Sequence, residues 1–227
     1  MKEAQERRRP QESGGARPGA AADGRAEVLA AAAQVFMERG YAATAIDDVA
    51  DMLGSTKGRI YHYYRSKADL FLDVHAQAMQ DLLEHVGPIA ARSGLTPLER
   101  LRAMAKEHAR IIMTTFAFQK AAVQGLERRL LSLSNTRQHR EMRRIIEMRD
   151  TYEDLYAAVV EDGIGQGLFV RLPPRMATKP ILGAVNWLNV WFEPGRAATP
   201  QQVEDIAVLL SDFVLRGMLP EGPARRR

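Results

Sequence analysis

The sequence contains no cysteine among its 227 residues, so disulfide bonds, thiolate metal sites and a cysteine nucleophile are all excluded. It also lacks any run of about 18 apolar residues, which excludes a helix that spans a membrane. The basic N-terminus is not followed by the apolar segment of a secretory signal, and we therefore expect a cytoplasmic protein. Hydrophobic residues make up 46% of the chain, which is enough to form a globular core.

Motifs for catalysis, metal binding and cofactor binding are missing as well. The five histidines include no HExxH motif and no pair at four-residue spacing. Residues 163–167 carry three glycines, but they follow a predicted helix rather than the strand that precedes a dinucleotide-binding loop. Glu153 and Asp154 are adjacent carboxylates and do not form a facing acid/base pair. We therefore predict no catalytic residue, no metal site and no cofactor, and a protein that is not an enzyme.

Apolar residues recur at three- and four-residue spacing along most of the chain, which predicts an all-α fold. Helix starts are marked by Ser66 and by two capping boxes, which begin at Thr96 and Thr199. Gly40 and Gly54 mark helix ends. The predicted helices span residues 25–39, 46–53, 57–64, 67–86, 97–114, 116–126, 135–166, 175–192 and 200–218.

The predicted helices form two groups between polar ends. Residues 1–23 are rich in glycine and arginine and have no large apolar residue after Met1, so they are predicted to be a disordered tail. Residues 24–68 are predicted to form a helix-turn-helix domain, since two short helices are joined by a turn that contains Gly54. Residues 69–219 are predicted to form a larger helical body for ligand binding and dimerisation, and residues 220–227 a second tail.

Positive charge is concentrated between residues 54 and 67, where four cations and no acid occur. Lys57 and Arg59 lie in the first turn of the short third helix, the part of a recognition helix that reaches base edges. Gly58 allows the backbone to lie close to DNA, and Arg59 can bind guanine with two hydrogen bonds. The alternative is a solvated helical turn whose apolar and aromatic residues only pack against the core.

The order of these elements resembles the TetR family of bacterial transcriptional repressors. The resemblance covers residues 25–75 and includes the runs GYAATAIDDVA, from residue 40, and GSTKGRIYHYYRSKADLF, from residue 54. It implies a three-helix DNA-binding head, a connecting fourth helix and a helical body that binds a ligand. The body would dimerise through its last two long helices, at residues 175–192 and 200–218.

The resemblance also implies which residues contact double-stranded operator DNA. Thr44 would bind a phosphate at the start of the second helix. Four residues would face the major groove: Ser55, Thr56, Lys57 and Arg59. Three more would hold the DNA backbone: Tyr61, His62 and Lys67.

The segment around Trp187 and Trp191 resembles family members that regulate catabolic pathways, several of which respond to acyl-CoA thioesters. The two tryptophans are four residues apart and share one helix face, which fits a core or dimer interface as well as a pocket wall. Asn186 and Asn189 interrupt a helix that is otherwise apolar nearly all round and is therefore predicted to be buried. Further candidate ligand-binding residues are Met113, Phe116, Met148, Tyr152 and Phe169.

The sequence thus predicts a homodimeric repressor that releases its operator when it binds a small hydrophobic or acyl-CoA-like effector. The alternative is a helical small-molecule carrier or enzyme whose basic head is incidental. The aromatic and methionine residues of the body favour this alternative, and the missing catalytic motif argues against an enzyme.

Overall fold

The computed structural model describes residues 18–124, 136–194 and 199–220, which contain ten helices and no strand. The prediction of an all-α fold is confirmed. In chain order the helices are α1 (Pro18–Ala43), α2 (Ile46–Met52), α3 (Lys57–Tyr63), α4 (Lys67–Ala90), α5 (Pro97–Thr114), α6 (Phe116–Gln124), α7 (Thr136–Gly165), α8 (Pro174–Asn186), α9 (Leu188–Trp191) and α10 (Pro200–Met218). None of these helices is both long and apolar enough to cross a membrane.

Helices α1 to α3 form the head. The regular helix of α1 is interrupted at Gly40, whose φ of 74° favours glycine, and Gly54 has a φ of 57° in the turn between α2 and α3. The head core includes Phe36 of α1 and Ile60 of α3, and Phe71 of α4 packs edge-on against Phe36. Both glycines that the sequence marks as helix ends therefore lie in the turns that set the angles between the head helices.

Helix α4 joins the head to the body, which consists of α5 to α10. Its first half packs in the head core with Leu70, Phe71 and Val74, and its second half packs in the body core with Leu82 and Val86. The predicted division at residue 68 falls inside the first turn of α4, before the last residues that pack in the head. The separation into two domains stays a prediction, because α4 and α6 each contribute buried residues to both cores.

Several helix bounds differ from the predicted ones. Helix α1 begins at Pro18, inside the predicted tail, because proline suits the first turn and alanines follow it; residues 1–17 and 221–227 lie outside the described residues. Helix α4 continues through Pro88 to Ala90, since proline removes only one backbone hydrogen bond and Ala90 is buried. Predicted helix ends at residues 126 and 135 also lie outside the described ranges.

Candidate nucleic-acid interface and buried polar cavity

Helix α3 presents one face to solvent and holds the other against the head core. Ile60 is fully buried, whereas Lys57 and Gly58 are exposed and Tyr61 is 53% exposed. His62 is exposed on the same short helix. Of the two residues before the helix, Thr56 is exposed and Ser55 is half-buried. The fold therefore exposes most of the predicted DNA-contacting side chains along α3 and in the turn before it.

Acidic residues from neighbouring helices pair with the two cations of this turn. The Lys57 ammonium lies 2.6 Å from a carboxylate oxygen of Asp47 in α2, and the Arg59 guanidinium donates a hydrogen bond to Glu27 in α1. Both pairs are partly exposed, and exposed ion pairs contribute only about 0–1 kcal/mol to stability. DNA phosphates and base edges can therefore compete for both cations. Sequence reasoning missed these pairs because the acids are distant in the chain.

The structure uses Thr44 and Lys67 differently from the other predicted DNA-binding residues. Thr44 is buried, and its hydroxyl donates a hydrogen bond of 2.7 Å to the carbonyl of Gly40. The Lys67 ammonium donates to the carbonyls of Tyr41 and Thr44, at 2.9 and 2.7 Å, and lies over the Tyr41 ring. Both side chains thus stabilise the segment that links α1 to α2. The polar atoms of both are bonded to backbone carbonyls.

The body contains a cavity of about 150 Å³ between helices α4, α5, α6, α7 and α8. Its lining residues are His75, Ala78, Met79, Leu82, His108, Gln119, Ala122, Val123, Arg149, Asp150, Tyr152, Glu153, Leu182 and Asn186. Met79 and Leu82 make one part of the wall apolar. Three other lining side chains, His75, His108 and Tyr152, are buried polar groups. The cavity therefore combines an apolar surface with polar groups that are shielded from solvent.

Several polar atoms of this cavity have no hydrogen-bond partner among the described residues. They are Nδ1 of His75, both ring nitrogens of His108 and the hydroxyl of Tyr152, which interacts with Tyr156 but makes no hydrogen bond of standard geometry with it. Burial lowers the pKa of His108 to about 3; the Asn186 side chain opposes this shift but makes no hydrogen bond of standard geometry with the ring. Burial, with the charge of Arg149, lowers the pKa of His75 to about 4. Both imidazoles are therefore neutral at pH 7.

Two of the nine predicted ligand-binding residues, Tyr152 and Asn186, line this cavity. Three others are buried in the body core and do not line it: Met113, Phe116 and Phe169. Met148 is partly buried beside the same core, and Asn189 is buried with its amide bonded to the carbonyl of Asn186. Sequence reasoning missed His75 and His108, because isolated histidines on helices carry no motif.

Trp187 and Trp191 lie apart from the cavity, on the surface of the body. They are 60% and 46% exposed, and they form an apolar groove with Leu209 and Phe213 of α10. In the single chain, this face of the helix predicted at residues 175–192 is therefore exposed rather than buried. The helix is also divided, because α8 ends at Asn186 and α9 begins at Leu188. We call the surface formed by these four side chains the α8–α10 face.

No three histidine, aspartate or glutamate side chains lie together as they would around a metal ion within the described ranges.

Comparison with known protein families matches both parts of the chain. A family model described as "Bacterial regulatory proteins, tetR family" matches residues 28–74, which include α2, α3 and most of α1. A second model, described as "Tetracyclin repressor-like, C-terminal domain", matches residues 94–218, which is more than half of the chain. Both descriptions concern regulators of transcription rather than enzymes.

Individual relatives cover almost the whole chain. The HTH-type transcriptional repressor KstR2 of Mycobacterium tuberculosis is 27% identical over 212 residues, which cover 86% of this chain and 94% of KstR2. The solved structure of KstR2, called a ketosteroid transcriptional regulator, superposes with a TM-score of 0.73 at 25% identity and covers 87% of this chain and 95% of its own. The TetR-family regulator PfmR of Thermus thermophilus gives a TM-score of 0.71 at 29% identity, covering 84% of this chain and 97% of PfmR. Because family models match both the head and the body, the chain belongs to the TetR family of bacterial regulatory proteins.

Proposed function

We propose that the chain is a homodimeric transcriptional repressor that binds operator DNA through α3 and releases it when an effector binds in the body. The observation that carries this proposal is the N-terminal turn of α3, where Lys57 is exposed and Arg59 is half-buried on a helix anchored by Ile60. Repression, rather than activation, is supported by the KstR2 relatives, which are repressors and align over nearly the full chain. Such a protein acts on the chromosome, so we expect it in the cytoplasm.

DNA binding requires the two cations of α3 to leave their acidic partners. In the major groove Arg59 donates to a guanine edge and Lys57 to a base or phosphate, while Glu27 and Asp47 lose their ion pairs. Thr56, Tyr61 and His62 are exposed around the same turn, and their hydroxyl and imidazole groups suit phosphate oxygens. Ser55 and Gly58 complete this surface, with Gly58 allowing a close approach of the backbone.

The interface is tested with a mobility-shift assay on the DNA upstream of the protein's own gene. We expect Arg59→Ala to lose discrimination between operator and unrelated DNA, since a bidentate arginine contact to guanine is worth about 1–3 kcal/mol. We expect Lys57→Ala to weaken binding to all sequences and to reduce the dependence on salt. Arg102→Ala is the control, because it removes an ion-paired arginine from the body. Operator binding equal to that of the unmodified protein in both α3 variants would disprove the assignment.

The α8–α10 face supports the proposal that two copies associate. The α8–α10 face consists of four side chains that are each at least 46% exposed in the single chain: Trp187, Trp191, Leu209 and Phe213. Because they line one groove, they form a contiguous apolar patch, which is typical of an interaction surface. A second copy of the same face would bury it on both sides of a twofold axis. The two heads could then contact successive major grooves about 34–36 Å apart.

A physical connection between the cavity and the head supports the effector response. Helix α4 contributes His75, Met79 and Leu82 to the cavity, and its N-cap, Ser66, follows shortly after the C-terminal end of α3. Helix α7 also lines the cavity, and its Gln138 donates hydrogen bonds of 3.1 Å to both the Ser66 hydroxyl and the Asp69 carboxylate. A ligand that binds better to one arrangement of α4 and α7 would therefore shift the position of the head.

We propose that the effector is a small hydrophobic or acyl-CoA-like molecule. The apolar wall of the cavity supports a hydrophobic ligand, and the similarity to KstR2, a ketosteroid transcriptional regulator, supports the same class of ligand. The experiment is mass spectrometry of small molecules that co-purify with the protein, followed by addition of each candidate to the protein–operator complex. A true effector is expected to release the operator, whereas a bound molecule without this effect would contradict the proposed regulation.

A further inference from the structure

The polar atoms of the cavity wall lack the partners that buried polar groups normally have. The great majority of buried polar atoms in proteins accept or donate at least one hydrogen bond, and leaving one unsatisfied is unfavourable. Nδ1 of His75, both nitrogens of His108 and the hydroxyl of Tyr152 are unsatisfied at one site. These side chains come from α4, α5 and α7, so the fold assembles the cluster from three helices. Such a cluster fits a ligand that supplies the missing partners.

The size of the cavity limits what it can hold. Pockets for drug-sized ligands have volumes of about 300–1,000 Å³, whereas an engineered cavity of about 150 Å³ accommodates a molecule as small as benzene. The volume of about 150 Å³ found here therefore accepts one ring or a short branched chain. Any larger part of an effector would have to lie outside the cavity, on its exposed side.

The chemistry of the wall favours a neutral ligand. A neutral imidazole has one donor and one acceptor nitrogen, and the Tyr152 hydroxyl can do either, so the cluster complements a carbonyl or hydroxyl oxygen. A carboxylate would lose its hydration without a buried cation to compensate. Arg149 and Asp150 are exposed lining residues of opposite charge, and Glu153 is paired with Lys179. Met79 and Leu82 provide the surface for the hydrocarbon part.

We propose that this cavity binds a neutral, compact group with a carbonyl or hydroxyl oxygen, whose hydrogen bonds are made by His108, His75 and Tyr152. This inference rests on the proposed function, because it names the chemical class that the effector site accepts. It assigns the apolar part of the group, one ring or a short acyl chain, to the side of the cavity formed by Met79 and Leu82.

The test measures binding of matched six-carbon rings to the full chain in the absence of DNA. The probes are cyclohexanone, cyclohexanol, cyclohexane and cyclohexanecarboxylate, and binding is followed by ligand-observed NMR titration. We expect the ketone and the alcohol to bind about three- to tenfold more tightly than the hydrocarbon, as one or two net hydrogen bonds predict. We expect the carboxylate to bind more weakly than the ketone.

Two variants locate the binding site. Tyr152→Phe removes only the hydroxyl of the cavity wall, and it should reduce the preference for the ketone over the hydrocarbon. Tyr41→Phe is the control, since Tyr41 packs against the head core and does not line the cavity. His108→Leu should abolish the preference, and thermal unfolding of each variant reports whether it is folded.

Three results would overturn the proposal. Equal binding of cyclohexane and cyclohexanone would show that the polar cluster contributes nothing, and tighter binding of the carboxylate would show that the site prefers an anion. Absence of binding by all four probes would show that the cavity holds only water. Operator binding is measured separately on the unliganded protein, so a failure of DNA recognition is distinguishable from a failure of this assignment.

Discussion

Acidification from pH 7 to pH 5 should destabilise the folded protein through its two buried histidines. The pKa values of His75 and His108 are about 4 and about 3 in the folded chain, against about 6.5 in an unfolded chain. For a base whose folded pKa is depressed, the unfolded state binds more protons at every pH below about 6.5, and stability falls as the pH falls. The loss begins near pH 6.5 and continues until the pH reaches the folded values.

The magnitude follows from the same pKa values. At pH 5 each unfolded imidazole carries nearly one proton, while His75 and His108 remain almost entirely neutral in the folded state. Each residue then costs about 2 kcal/mol relative to pH 7, at 1.36 kcal/mol per pKa unit, and the two together cost about 4 kcal/mol. This loss is large for a domain whose total stability is about 5–15 kcal/mol. Glu153 lines the same cavity as the two histidines. Lys179 and Thr178 hold the pKa of Glu153 below its ordinary value, so this carboxyl titrates at a lower pH than the two histidines do in the unfolded chain.

The assay is urea unfolding at pH 7 and pH 5, followed by circular dichroism at one fixed protein concentration. His75→Gln and His108→Gln should each remove about half of the difference in unfolding free energy between the two pH values. His85→Gln is the control, because the His85 ring is exposed, and the difference should persist in this variant. An unmodified protein that loses less than about 1 kcal/mol between pH 7 and pH 5 would refute the reasoning.

Three substitutions test other parts of the structure. Glu27→Gln should tighten operator binding about threefold to tenfold in fluorescence anisotropy, because it frees Arg59 and removes a negative charge near phosphate. Phe213→Asp should convert a dimer to a monomer in light scattering, whereas Met52→Asp, on the head, should not; an unchanged mass would exclude the α8–α10 face. Lys67→Met should lower stability by about 1–3 kcal/mol in thermal unfolding; weaker operator binding with unchanged stability would instead indicate a phosphate contact.

Local signals in the sequence predicted the helices well. The capping boxes at Thr96 and Thr199 and the cap at Ser66 are present, and Gly40 and Gly54 adopt the positive φ angles that end helices. Each of these signals acts within four residues of its position, so a single sequence contains all the information needed. The first turn of α3 could likewise be predicted from residues that are adjacent in the sequence, Lys57, Gly58 and Arg59.

Contacts between distant residues could not be predicted in this way. Glu27 and Arg59 are 32 positions apart, and nothing in the sequence indicates that they pair. His75 and His108 belong to different helices and meet at the cavity only through the packing of α4 against α5. The exposure of Trp187 and Trp191 could not be predicted either, because an exposed apolar surface has the same composition as a buried core.

Helix α4 gives the proposed regulation a thermodynamic consequence. Because the same helix packs in the head core with Phe71 and lines the cavity with Met79, the positions of the head and of the cavity wall are not independent. If an effector weakens operator binding by a given factor, linkage requires operator DNA to weaken effector binding by the same factor. The hydrogen bonds of Gln138 to Ser66 and Asp69 join α7 to the start of α4, so two of the helices that line the cavity contribute to this coupling.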